Sequence, residues 1–202
     1  MKTKHILLMM AMVLLVFPAG CLFSPDDNPD VKPIDNDLEF ADTREQLMEN
    51  FQIVYEKMDI DDYIEVIDEN FRIYLSDDTR TEYGLPREYF DYDEEVQITR
   101  NMFSGNAIDL GNGETVPGIS EISFKKLIQI DAWRVSPADD RIANADFAPF
   151  EVEFEIARGG FPTLEIRGMI EFYLVAEEIM HQGRLQDRWK MVGQVDYTAV
   201  EN

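Results

Sequence analysis

Leu47, Phe51, Val54, Tyr55 and Met58 recur at intervals of three and four residues, with charged and amide side chains between them. That period sets one apolar stripe on a 3.6-residue turn, so the pattern predicts a helix over 43–57. Asp42-Thr43-Arg44-Glu45 just ahead of it reads as a capping box, with Asp42 as cap and Glu45 answering three residues later. The stretch "DIDDY" restarts the pattern with acidic residues in a first turn, where they complement the helix dipole. Tyr63, Ile64, Val66 and Ile67 give this second helix a short apolar face, and Phe71-Arg72-Ile73-Tyr74-Leu75 predicts a first strand. After a loop over 76–89, Asp91 or Asp93 caps a third helix with Val96, Met102 and Phe103 inward, ended by Gly105. "LGNGETVPG" is a turn-rich connection.

From Ile119 onward the period changes to two. Residues 122–135 read as one long strand with apolar side chains on both faces. Phe150, Val152, Phe154 and Ile156 alternate with Glu151, Glu153 and Glu155, the signature of a half-buried strand. Leu164, Ile166, Ile170, Phe172 and Leu174 repeat it after "GGFP". Trp189, Met191, Val195 and Tyr197 supply a last strand after an "HQGR" turn. Helices first and hairpin-linked strands afterwards predict an α+β fold: about three N-terminal helices on an antiparallel sheet of about five strands. With 202 residues, 45% of them hydrophobic, one domain over 42–202 has enough apolar material for a core.

The first residues follow a different logic. Lys2 and Lys4 precede an apolar run over 6–17. At about 12 residues it has the length of a signal-peptide core, short of the roughly 20 that span a bilayer. Pro18-Ala19-Gly20-Cys21 closes the run and resembles the lipobox of bacterial lipoproteins, with Pro18 where that family usually has an aliphatic residue. The resemblance implies that 1–20 is a removed leader and that Cys21 carries lipid, anchoring the chain to a membrane of the bacterial cell envelope. Leu22 resembles the outer-membrane sorting pattern of Gram-negative hosts, which implies the periplasmic or surface face of that membrane. The alternative is an ordinary cleaved signal with an incidental thiol. Cys21 is the only cysteine, however, and an unmodified exposed thiol is a liability in an oxidising compartment.

Residues 21–41 then read as a disordered acidic tether, because three prolines and five aspartates within 24–37 bury too little apolar area to offset chain entropy. Asp26, Asn28 and Asp30 have the alternate spacing of a calcium loop. Val31 stands where Gly is needed and Asp37 where a bidentate Glu belongs, so no metal site is assigned.

Charge narrows the partners. The 41 Asp and Glu outnumber 18 Lys and Arg, for a formal net charge of −23. That field repels phosphates and excludes nucleic acid as a natural partner, while favouring cations or a basic partner.

Two stretches, "REQLMENFQIVYEKMDIDDYIEVIDENFRIYL" and "DRWKMVGQVDYT", resemble the nuclear-transport-factor-2-like superfamily, which includes ketosteroid isomerases and polyketide-cyclase-like proteins. The likeness covers 42–198. It implies a curved sheet wrapped against helices, a cone with a pocket at its open end. Enzymes of the superfamily use an Asp or a His–Asp pair there as base, with Tyr and a protonated acid as oxyanion donors. No such set maps onto this chain. His181, the one histidine beyond the leader, falls in a hairpin turn; Asp196 matches the family's terminal Asp, which more often faces outward. Asp131, beside Ile130 and Trp133, is the one catalytic candidate, a carboxylate whose role as base requires burial. Tyr55, Tyr74, Trp133 and Trp189 are candidates for lining an apolar pocket, with plain core packing as their alternative. Neither a zinc signature nor a nucleotide or dinucleotide fingerprint is present, and no cofactor is expected.

The chain therefore reads as a non-enzymatic, membrane-anchored lipoprotein whose domain binds a small apolar ligand or a protein partner. A small isomerase-, dehydratase- or cyclase-like enzyme with a carboxylate base is the alternative. Apolar residues on both faces of 122–135 fit a homodimer formed through the sheets.

Overall fold

In a computed structural model, the described residues are 38–77, 80–81, 85–109 and 115–197. The leader, Cys21, the acidic tether up to residue 37 and the calcium-like spacing lie outside them. Helix α1, Arg44–Lys57, buries Leu47, Met48, Phe51 and Val54. Its cap is Thr43, whose side chain accepts from the Gln46 amide at 3.1 Å. Asp42 does not serve, since the extended residue that feeds the first turn lies one position later. Met58 ends the helix in a left-handed conformation, φ 55°, and Asp59 caps α2, Ile60–Val66. The chain leaves α2 sooner than its apolar pattern suggested, because Ile67 already belongs to strand β1, Ile67–Tyr74. After β2, Tyr89–Asp91, a capping box joins Asp91 and Glu94 at the start of α3, Tyr92–Phe103.

Short strands β3, Ile108–Asp109, and β4, Thr115–Val116, form a separate pair. The remaining strands are β5 (Ile119–Gln129), β6 (Arg134–Val135), β7 (Asp146–Arg158), β8 (Phe161–His181) and β9 (Arg184–Asp196). The expected strand over 122–135 is thus two: β5 stops at Gln129 and the chain bends at Asp131 before β6. The main sheet runs β2-β1-β9-β8-β7-β5, with β6 pairing β7. It has more than five strands and it is mixed: β1 and β9 run parallel, with Ile73 opposite Gln194 and Tyr74 opposite Val195. Helix α3 also follows β1 and β2, so the helices do not all precede the sheet. Register shifts put extra residues on β5, β8 and β9, and an extra residue on one strand bends and coils the sheet there. The helices pack on its inner face, giving a half-barrel.

The folded part begins before α1. The Ala41 carbonyl accepts from the Trp189 amide at 2.8 Å, the Glu39 carbonyl accepts from buried Asn50, and Phe40 stacks on His181 at 3.9 Å. The sheet's two faces are closed differently. Inside, Phe51, Ile122, Phe150, Val152, Phe172 and Leu174 pack with the helices. Each such side chain contributes about 1.5–3 kcal/mol on leaving water. On the back, the β6–β7 connection lays Ile142 and Ala145 over Tyr74, Tyr173 and Val195. Gly193 admits that crossing: a Cβ there would lie 2.5 Å from Ile142 Cδ1 and 2.6 Å from the Arg72 carbonyl oxygen. Elsewhere the back face carries ion pairs such as Lys126 with Glu151 and Glu153, beside exposed Ile128 and Met169.

Candidate functional site

The most unusual chemistry of the described residues lies where the helices meet. Along α3 the buried stripe is Glu95, Thr99 and Phe103, one residue per turn. Val96 and Met102, expected inside, are only partly buried at its flanks. Glu95 is 4% exposed, and its Oε1 accepts from Tyr63 Oη of α2 at 2.9 Å and from Thr99 Oγ1 at 2.7 Å. Tyr55 of α1 completes the group: its ring meets Tyr63 at 5.5 Å and Phe103 at 5.3 Å, both edge-on.

Burial pushes the Glu95 carboxyl up to about 7, against the hydrogen bonds from Thr99 and Tyr63 that favour its charged form. The same burial, together with the Glu95 charge, raises Tyr63 and Tyr55 well above an ordinary phenol. Tyr55 is only half-buried as a residue, yet its hydroxyl end lies deep. Both phenols therefore stay protonated and Tyr63 donates to the carboxyl, while Glu95 is the member of the cluster that exchanges a proton near neutrality. A carboxyl of this kind can take up or release one proton, provided that a reacting group reaches it.

Rings pack closely on the sheet side of that cluster. Phe51 touches Tyr55 at 4.7 Å, Phe124 at 6.2 Å and Phe172 at 5.3 Å, and Phe172 meets Phe150 at 5.4 Å. These rings occupy the space between helices and sheet where a cone would hold a ligand. Two hollows that open on the surface lie elsewhere. One of about 400 Å³ is lined by small uncharged residues such as Gly118, Ser120 and Gly159 with Phe161, and shares no residue with the Glu95 cluster. The other, about 190 Å³, is a groove between α1 and the β5–β7 end of the sheet.

The residues singled out from sequence are scattered. Asp131 sits in the bend after β5, not mid-strand. Its side chain is 57% exposed, beside Arg134 at 3.4 Å, so the burial that a general base needs is missing. Tyr74 belongs to the back-face cluster, where its hydroxyl donates to the Arg141 carbonyl at 3.1 Å. Trp133 and Trp189 do come together, through a cation: the Arg44 guanidinium lies 5.6 Å from one ring centroid and 5.2 Å from the other, and binds Asp146 at 2.7 Å. The Trp133 indole N–H is buried with no acceptor among the described residues. Tyr55 alone of the four reaches the polar cluster. Asp196 closes β9 opposite Ile170. No group of three or more His, Cys, Asp or Glu that could hold a metal occurs among the described residues, and no helix there is long and apolar enough to cross a membrane.

No protein-family model matches the chain, and no curated protein matches it. Similar solved structures include a candidate aromatic ring hydroxylase from Novosphingobium aromaticivorans, at 12% identity over 78% of this chain and 87% of that one, TM-score 0.47. A nuclear-transport-factor-2-like protein of unknown function from Burkholderia pseudomallei shows 11% identity over 77% and 90%, TM-score 0.43. A ketosteroid isomerase-like protein from Erwinia carotovora atroseptica shows 11% identity over 77% and 94%, TM-score 0.39. No role passes from them to this chain at such identities and scores.

Proposed function

We propose that this chain is a membrane-anchored cell-envelope lipoprotein, held by lipid on Cys21, whose domain works by binding at its surface rather than by catalysis inside a pocket. The observation that supports the binding reading is the aromatic packing of Phe51, Phe124, Phe150 and Phe172, which among the described residues fills the space between helices and sheet on the side of the Glu95 cluster. Small apolar probes test it, because a dry cavity of roughly 150 Å³ admits benzene. The wild-type chain takes up no benzene stoichiometrically, whereas Phe51→Ala, which opens the interior, does. One benzene per wild-type chain contradicts the reading.

One observation favours the enzymatic alternative: Glu95 is a buried carboxyl with a pKa near 7 beside a tyrosine. On that reading Glu95, not Asp131, is the base, and a proton-abstracting activity lost in Glu95→Gln but kept in Asp131→Asn identifies it.

A further inference from the structure

The groove beside α1 is built from one stripe of the helix and one end of the sheet. Glu45, Met48 and Glu49 recur at helical spacing and face Leu127 of β5, Phe150 of β7 and Trp133 of the connecting bend. Met48 and Phe150 are buried and form the floor. Glu45 and Glu49 are exposed on one rim and make no ion pair with any described residue. The nearby cation, Arg44, is already held by Asp146 and the two indoles.

We propose that this groove is a docking site for a basic segment of a protein partner, which lays a lysine or arginine side chain along it. At about 190 Å³ the groove is smaller than the roughly 300–1,000 Å³ of small-molecule sites, but suits one long side chain. The match is chemical at both ends. Long cationic side chains bury their methylene stems on apolar surface and keep the charged head in water, here beside Glu45 and Glu49. Charge selects the partner class: the chain carries −23, so a basic segment is drawn to it and an acidic one or a nucleic acid is repelled.

This inference rests on the surface-binding reading above, and the test separates the two. Fluorescein-labelled hexalysine is titrated into the full chain, solubilised in an uncharged detergent, with fully acetylated hexalysine as the neutral comparison. Saturable binding is expected for hexalysine and not for the acetylated peptide. Glu45→Gln with Glu49→Gln weakens it about tenfold, the scale of two lost surface charge contacts. Glu121→Gln with Glu178→Gln, an equal charge change at equally exposed and unpaired carboxylates, leaves affinity within about twofold. No binding, equal binding of the acetylated peptide, or equal loss in both double variants overturns the groove as the site. Benzene entry into the wild-type interior overturns the parent reading whatever the peptide does.

Discussion

Glu95 is the residue on which the interior's behaviour turns. Its folded value of about 7 lies above the ordinary 4.5, so the stability it confers as a neutral carboxyl is full below about 4.5 and is lost as pH rises through about 7. The displacement of the carboxyl corresponds to at most about 3 kcal/mol. Glu95→Gln keeps a neutral side chain of the same shape. Urea denaturation therefore shows the variant gaining about 3 kcal/mol on the wild type between about pH 4.5 and about pH 8, and parallel profiles exclude a buried titrating Glu95. Tyr63→Phe removes one of the two donors to Oε1. It costs about 1–3 kcal/mol and moves that pH dependence upward, because the lost bond favoured the charged form. Sequence reading missed this carboxyl for a physical reason: Asp93, Glu94 and Glu95 look like a solvated acidic first turn. The usable signal was spacing, since Glu95, Thr99 and Phe103 share one line along the helix.

The elements themselves were legible wherever a local pattern determines them. Alternation marked β7, the "HQGR" turn is closed by Gln182 and Gly183 at positive φ, and Asp91 does cap α3. Pairing was not legible, because the parallel contact of β1 with β9 joins the two ends of the domain and no local period encodes it. Nor was the break of the long strand after Gln129, since Asp131 and Trp133 lie within a run whose apolar content continues to Val135. Gly193 tests the back-face crossing. Gly193→Ala drives a methyl into Ile142 and the Arg72 carbonyl, at a cost of about 1–3 kcal/mol or more. Ile142→Ala in the same chain relieves only the first of these clashes, so the double variant recovers part of the loss in thermal denaturation. Full additivity of the two substitutions shows that Ile142 does not close over Gly193. At the edge of the sheet, Glu56 accepts from the Phe124 amide at 3.0 Å where β5 shifts register. Glu56→Ala leaves that amide to water and lowers stability by about 0.5–1.5 kcal/mol in the same assay.

For the whole molecule, charge and closure act together. The inner face of the sheet is filled, and much of the outer face is tied in ion pairs such as Lys126 with Glu151 and Arg167 with Glu153. Surfaces open to recognition include the acid-rimmed groove on α1 and the exposed apolar residues at the end of β5. On the proposed anchoring, the residues between Cys21 and Leu38 would separate the acidic domain from an anionic membrane surface, which repels a chain of net charge −23. Anchoring is the claim on which the functional account depends most, and fractionation of cells expressing the full chain or Cys21→Ala measures it directly. The account predicts that the wild type sediments with membranes and extracts only into detergent, while Cys21→Ala is recovered in the soluble fraction. Equal membrane partition of the two would contradict it.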